Sequence, residues 1–243
     1  MINNIRPFSF LILASFFAFS LSCARPATGS QADSKPASPA ARAVGSIVND
    51  VPKNIDTRAN YLFYLHGRII EEQGIRPTSE RYGVYEYEKI LDKLKSRGLV
   101  VISEPRPRGT DIDQYAAKVI GQIQKLLKAG VAPQHITVVG ASKGSVIAMV
   151  VSLRLKNSDV NFVLMGNCND GTLEQRQVDL WGNVLSIFDT SDEIGGTCQK
   201  FFERAKGLNR RKEVELRTGL GHGFLYRDMN EWIDPAVEWA TGH

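Results

Sequence analysis

Short apolar runs alternate with amphipathic stretches along most of this chain, and that alternation limits the fold more than any other feature. Tyr61–Leu65 (YLFYL), Leu99–Ser103 (LVVIS), Ile136–Val139 (ITVV), Asn161–Met165 (NFVLM) and Asn183–Phe188 (NVLSIF) are nearly continuous apolar runs. Runs of this kind belong to strands covered on both faces. Between them, Val84–Arg97 places Tyr87, Ile90, Leu91 and Leu94 on one helical face, with Gly98 as a stop. Asp113–Ala129 does the same with Ala116, Val119, Ile120, Ile123 and Leu127, and Gly130 closes it. Ser145–Lys156 and Glu231–Ala240 predict two further helices, and Lys212–Leu216 a weaker sixth strand. Strands separated by helices predict an α/β fold, with a mostly parallel sheet covered by helices on both faces. In such sheets the reacting groups gather at the carboxyl ends of the strands.

The first 43 residues do not share the pattern. Residues 1–23 carry one basic side chain, Arg6, followed by an uncharged run of 14 residues from Phe8 to Leu21. A membrane span needs about 20 residues, so the run predicts an export signal rather than an anchor. Two processing routes are open. Ser22-Cys23-Ala24 offers small residues for signal-peptidase cleavage, whereas Leu21-Ser22-Cys23 is similar to a bacterial lipobox, which would make Cys23 a lipidated N-terminus. Residues 24–43 contain 15 Ala, Pro, Ser, Thr or Gly among 20, with no Ile, Leu, Val or aromatic, the composition of a flexible linker. The folded domain is expected over residues 44–243. The expected location is outside the cytoplasm: periplasmic, lipid-anchored or secreted.

The balance of 30 Lys and Arg against 26 Asp and Glu argues against a nucleic-acid surface. Membrane contact is expected only through the N-terminal lipid. Three cysteines with no C-x-x-C pair suggest no structural metal, and no cofactor is expected. Gly140 and Gly144 are too close together for a phosphate-binding P-loop, and a dinucleotide G-x-G-x-x-G is absent.

Gly140-Ala141-Ser142-Lys143-Gly144 instead reads G-x-S-x-G between a strand and a helix. A sharp turn there exposes the Ser142 hydroxyl above the sheet, and glycine suits both crowded flanks. Its base follows by elimination among four histidines. His135 lies at the wrong end of its strand, His243 is the last residue and His66 is held in the turn after the first strand. His222, in a glycine-rich loop before the final helix, remains. The acid that orients it comes from Asp189-Thr190-Ser191-Asp192-Glu193. Asp192, three residues into the loop, is favoured over Asp189 at the strand tip, and Glu193 ranks third.

The order Ser142, Asp192, His222, with Leu65-His66-Gly67-Arg68 and Gly221-His222-Gly223, resembles the α/β-hydrolases over about Arg58 to His243. The resemblance implies a Ser-Asp-His serine hydrolase that acts on a small-molecule ester or thioester, carboxylesterase- or thioesterase-like, working through an acyl-enzyme. It implies an oxyanion hole from the backbone N–H groups of Arg68 and Lys143. It leaves little room before Tyr61 for the family's two leading antiparallel strands and none for a lid domain, so an open site is expected. It makes the strands ending near Cys168 and Cys198 neighbours, within reach of a disulfide. The alternative is an exported binding module that keeps the fold without the activity.

Arg68, Arg76, Arg81, Arg106 and Arg108 fall in loops at the catalytic end, beside Tyr82, Tyr85 and Tyr87. Arg106 and Arg108 are candidates for binding an anionic group of the substrate. Glu71, Glu72, Glu80, Glu86 and Glu104 lie in the same segments and offer these arginines an alternative, pairing.

Overall fold

The structure, a computed structural model, describes residues 45–242. The expected signal at residues 1–23, the expected linker at 24–43 and Cys23 lie outside the described residues.

Seven strands form one sheet: β1 (Ser46–Val48), β2 (Tyr61–Leu65), β5 (Val100–Ile102), β6 (Ile136–Ala141), β7 (Asn161–Met165), β8 (Trp181–Asp189) and β9 (Gly207–Leu216). A small antiparallel hairpin, β3 (Thr78–Ser79) and β4 (Gly83–Val84), stands apart. The spatial order is β1-β5-β2-β6-β7-β8-β9, and every neighbouring pair is parallel. The helices are α1 (Arg68–Gln73), α2 (Tyr87–Ser96), α3 (Ile112–Lys128), α4 (Lys143–Leu155), α5 (Asp170–Arg176), α6 (Gln199–Arg204) and α7 (Asn230–Thr241). Among the described residues no antiparallel strand precedes β2; the short strand there, β1, pairs parallel with β5.

Two apolar layers follow from the period of two along each strand. Tyr61, Phe63 and Leu65 face one core, shared with Ala116, Val119, Ile123 and Leu126 of α3 and with Ile147–Val151 of α4. Leu62 and Tyr64 face the other, with Ile90, Leu91 and Leu94 of α2 and Trp232, Ile233 and Ala236 of α7. All residues of β2, β6 and β7 are buried, which is why their sequences read as continuous apolar runs.

The chain leaves β2 toward β5 on one side, then crosses back to β6 on the other. That reversal opens a crevice beyond the carboxyl ends of β2 and β6. The Gly67 turn follows β2 and Ser142 follows β6, so both open into it. Cys168, just past β7, is disulfide-bonded to Cys198, with Cα atoms 4.9 Å apart.

Candidate active site

Ser142 is the residue between β6 and α4, with φ 53° and ψ −117°. A non-glycine residue in that region carries roughly 1–3 kcal/mol of backbone strain, sustained here by the packing around it. The backbone N–H of Ser142 donates to Met165 O at 2.9 Å, tying the turn to β7. A Cβ on Gly144 would lie 1.8 Å from Leu65 O, and one on Gly140 would lie 2.5 Å from Gly144 O. The turn therefore closes only with glycine on both sides, and it packs directly on the end of β2.

His222 sits in a short 3₁₀ turn, Gly221–Tyr226. Its Nε2 is 2.9 Å from Ser142 Oγ and its Nδ1 is 2.9 Å from Asp192 Oδ2. A carboxylate can only accept, so Nδ1 carries the proton and Nε2 accepts from the Ser142 hydroxyl. Gly166, at φ +69°, makes room for this ring: a Cβ there would lie 3.0 Å from His222 Cε1 and 2.7 Å from Leu225 Cδ1. Asp192 Oδ1 accepts the Ile194 N–H at 2.9 Å. Burial pushes the Asp192 carboxyl upward, but the hydrogen bond and charge of His222 and the Ile194 and Gly195 N–H groups outweigh it. The net result is a pKa below the ordinary 3.8, so Asp192 stays an anion beside the imidazole.

Asp189 lies elsewhere. Its Oδ1 accepts from Ser191 N at 2.9 Å and from the Ser191 hydroxyl, and its Oδ2 accepts from Thr218 N at 2.8 Å and Thr218 Oγ1 at 2.6 Å. It joins the loop carrying Asp192 to the loop carrying His222. Glu193 faces outward and pairs with Arg81 at 2.9 Å.

Arg68 and Lys143, the expected oxyanion donors, are the first residues of α1 and α4, so neither N–H has an intrahelical partner. Gly67 lies against the nucleophile, and a Cβ on it would be 3.6 Å from Ser142 Cβ. His66 is fully buried beneath this turn. Its Nε2 accepts the Arg106 backbone N–H at 2.9 Å, so its Nδ1 bears the hydrogen and donates to Gly67 O at 2.8 Å. Burial, reinforced by the Arg106 guanidinium, pulls its pKa down to about 3. His66 therefore remains neutral near pH 7.

The five arginines separate. Arg106, expected as a substrate-binding candidate, is not available for that: its side chain has no exposed surface and its Nε donates to Glu71 Oε1 at 2.8 Å. The guanidinium is satisfied inside the fold instead, by Glu71 through Nε and by the His66 carbonyl through Nη2. Arg76 pairs with Glu88 at 2.7 Å, and Arg68 lies 4.0 Å from Glu72. Arg108 donates to Glu72 O at 2.9 Å and lines the cleft.

The cleft over Ser142 encloses 910 Å³. Tyr82, Tyr85, Tyr226 and Leu225 line it near His222, and Asn167, Gln175 and Arg176 line it toward α5. Tyr87 does not; its hydroxyl is 2.8 Å from Ser103 Oγ inside the core. The reading from sequence missed Tyr226, Asn167, α5 and the buried role of Glu71. Only the asparagine-capped start of α5 left a trace in the sequence, since Asn169 Oδ1 accepts the Thr172 N–H at 2.9 Å. Among the described residues no cluster of His, Cys, Asp and Glu could hold a metal ion, and no helix is long and apolar enough to cross a membrane.

No protein-family model matches the chain, and no curated protein matches it in sequence. Solved structures do match. A protein of Desulfitobacterium hafniense assigned to the α/β-hydrolase family aligns at 11% identity and TM-score 0.53, covering 75% of this chain and 96% of its own. An Agrobacterium tumefaciens protein of unknown function, described as an α/β-hydrolase, aligns at 16% identity and TM-score 0.51, covering 75% and 84%. Arabidopsis thaliana SOBER1 aligns at 12% identity and TM-score 0.50, covering 76% and 98%. At these identities the likeness is one of fold, and the fold is that of the α/β-hydrolases.

Proposed function

We propose that this chain is a serine hydrolase that cleaves a small-molecule ester or thioester through an acyl-enzyme. The observation that carries the reading is the hydrogen-bonded line Ser142–His222–Asp192 opening on the cleft. In this mechanism the Ser142 Oγ attacks the carbonyl carbon while His222 Nε2 takes its proton, and Asp192 stabilises the imidazolium so formed. The carbonyl oxygen becomes an oxyanion, which in this reading the N–H groups of Arg68 and Lys143 bind, each worth about 3 kcal/mol in the transition state. Collapse breaks the bond to the alcohol or thiol, which leaves with the proton from His222. Water then attacks the acyl-enzyme by the same route, releasing the acid and restoring the Ser142 hydroxyl.

The domain is proposed to work outside the cytoplasm, as a periplasmic, secreted or Cys23-anchored protein, and the Cys168–Cys198 bridge fits an oxidising compartment. Fluorophosphonate labelling tests the activity: the wild type is expected to be labelled at Ser142 and to hydrolyse p-nitrophenyl acetate, and Ser142→Ala to do neither. A folded wild type inert to the probe and to short esters and thioesters would remove the reading.

A further inference from the structure

Beneath the oxyanion side lies an ion cluster that the proposed reaction does not itself use. Glu71, on α1, has a side chain only 1% exposed. Its Oε1 accepts Arg106 Nε at 2.8 Å, and its Oε2 accepts Lys143 Nζ at 2.5 Å. Lys143 Nζ also donates to Thr110 O at 2.7 Å. Arg106 in turn holds the turn after β2 at two points: its Nη2 donates to His66 O, and its backbone N–H to His66 Nε2. The two oxygens of one carboxylate therefore reach the two segments that carry the expected oxyanion donors. One segment is the His66-Gly67-Arg68 turn, held through Arg106. The other is the start of α4, held through the side chain of Lys143.

Exposed ion pairs such as Arg76–Glu88 and Arg81–Glu193 contribute little to holding a structure. A pair withdrawn from water is different. Attraction is stronger at low dielectric, and a cation left alone there has no solvent to replace its partner. Oxyanion stabilisation is also demanding in geometry, because two donors from separate parts of the chain must each come within about 2.7–3.1 Å of one oxygen. Gly67 and Gly144 bring the turn and α4 into backbone contact, but contact alone does not set the angle between two peptide planes.

We propose that Glu71 is a positioning residue for the oxyanion site, clamping the Arg68 turn to the first turn of α4 so that both backbone donors converge on the same oxygen. The proposal rests on the serine hydrolase reading, and its test keeps the two separate. Steady-state hydrolysis of p-nitrophenyl acetate is measured for wild type, Glu71→Gln and Lys143→Met. Inhibition is measured with phenylboronic acid, which forms a tetrahedral adduct on the serine, and with N-(4-nitrophenyl)acetamide, which binds as a planar ground-state analogue. For Glu71→Gln, kcat and boronate affinity are both expected to fall by about 10- to 100-fold, with amide affinity changed by less than about threefold.

Wild-type kcat and boronate affinity in a folded Glu71→Gln would overturn the proposal. So would an equal weakening of boronate and amide, which is the mark of a general loss of structure. If Glu71→Gln does not fold, Lys143→Met decides, since it leaves the Glu71–Arg106 pair in place. A selective loss of boronate affinity supports the clamp, and unchanged affinity overturns it. A wild type that no fluorophosphonate labels would instead remove the hydrolase reading itself.

Discussion

Asp189 and Asp192 are three residues apart, and their surroundings give the same carboxylate two different tasks. Asp192 turns one oxygen to His222 and satisfies the other with a backbone N–H. Asp189 spends both oxygens on Ser191 and Thr218. Asp192→Asn is expected to lower kcat by roughly 10³–10⁴-fold, because an amide can favour the wrong imidazole tautomer. Asp189→Asn turns an amide donor toward donors already present, so it should loosen the loops and cost kcat far less. Steady-state kinetics beside thermal melts would separate the two, and a larger kcat loss in Asp189→Asn would transfer the acid's role. Sequence alone ranked Asp192 over Asp189 only as a preference, because strand-tip and loop positions differ by less than the uncertainty of a strand end.

Among the elements, the longest strand was only partly legible. Lys212–Leu216 marked the end of β9, but β9 begins at Gly207, and its outer stretch Asn209-Arg210-Arg211-Lys212 has no apolar pattern. Backbone pairing with β8 makes it a strand, and its basic side chains suit an edge that must not pair with a second sheet. Helices α1, α5 and α6 were too short to show a helical period. The disulfide acts at this scale: it joins the chain after β7 to the start of α6 across a separation of 30 residues, and the Asp192 loop runs into it. Loop-closure entropy assigns such a bond about 3.5 kcal/mol. Cys168→Ala/Cys198→Ala is expected to melt roughly 7–14 °C lower. An unchanged melting temperature would mean that the bridge does not constrain the unfolded chain.

For the whole molecule, His66 couples acidity to stability. Its folded pKa is about 3, while an unfolded histidine titrates near 6.5. Between those values the unfolded chain holds a proton that the folded one does not, so stability falls as pH falls. Above 6.5 neither state binds the proton and the dependence disappears. The slope is about 1.4 kcal/mol per pH unit, or roughly 2–3 kcal/mol between pH 6.5 and 4.5. Urea unfolding across that window, wild type against His66→Gln, would read it directly. A slope that survives the substitution would assign the dependence to other groups.

The layered α/β architecture was legible in the sequence alone, because hydrophobic period and strand–helix alternation are local properties that burial on both faces imposes. So was the serine turn, since a tight bend leaves glycine on both flanks. What only the tertiary structure decided was which charged groups face the cleft and which face each other. Arg106 and Arg108 are neighbours in the same loop, yet one is buried against Glu71 and the other lines the cleft. Nothing in the spacing Glu71, Arg106, Lys143 announces a cluster, for it forms only when the ends of β2, β5 and β6 are brought side by side. Electrostatic pairing depends on distance through space, and that distance is set by sheet order rather than by position along the chain.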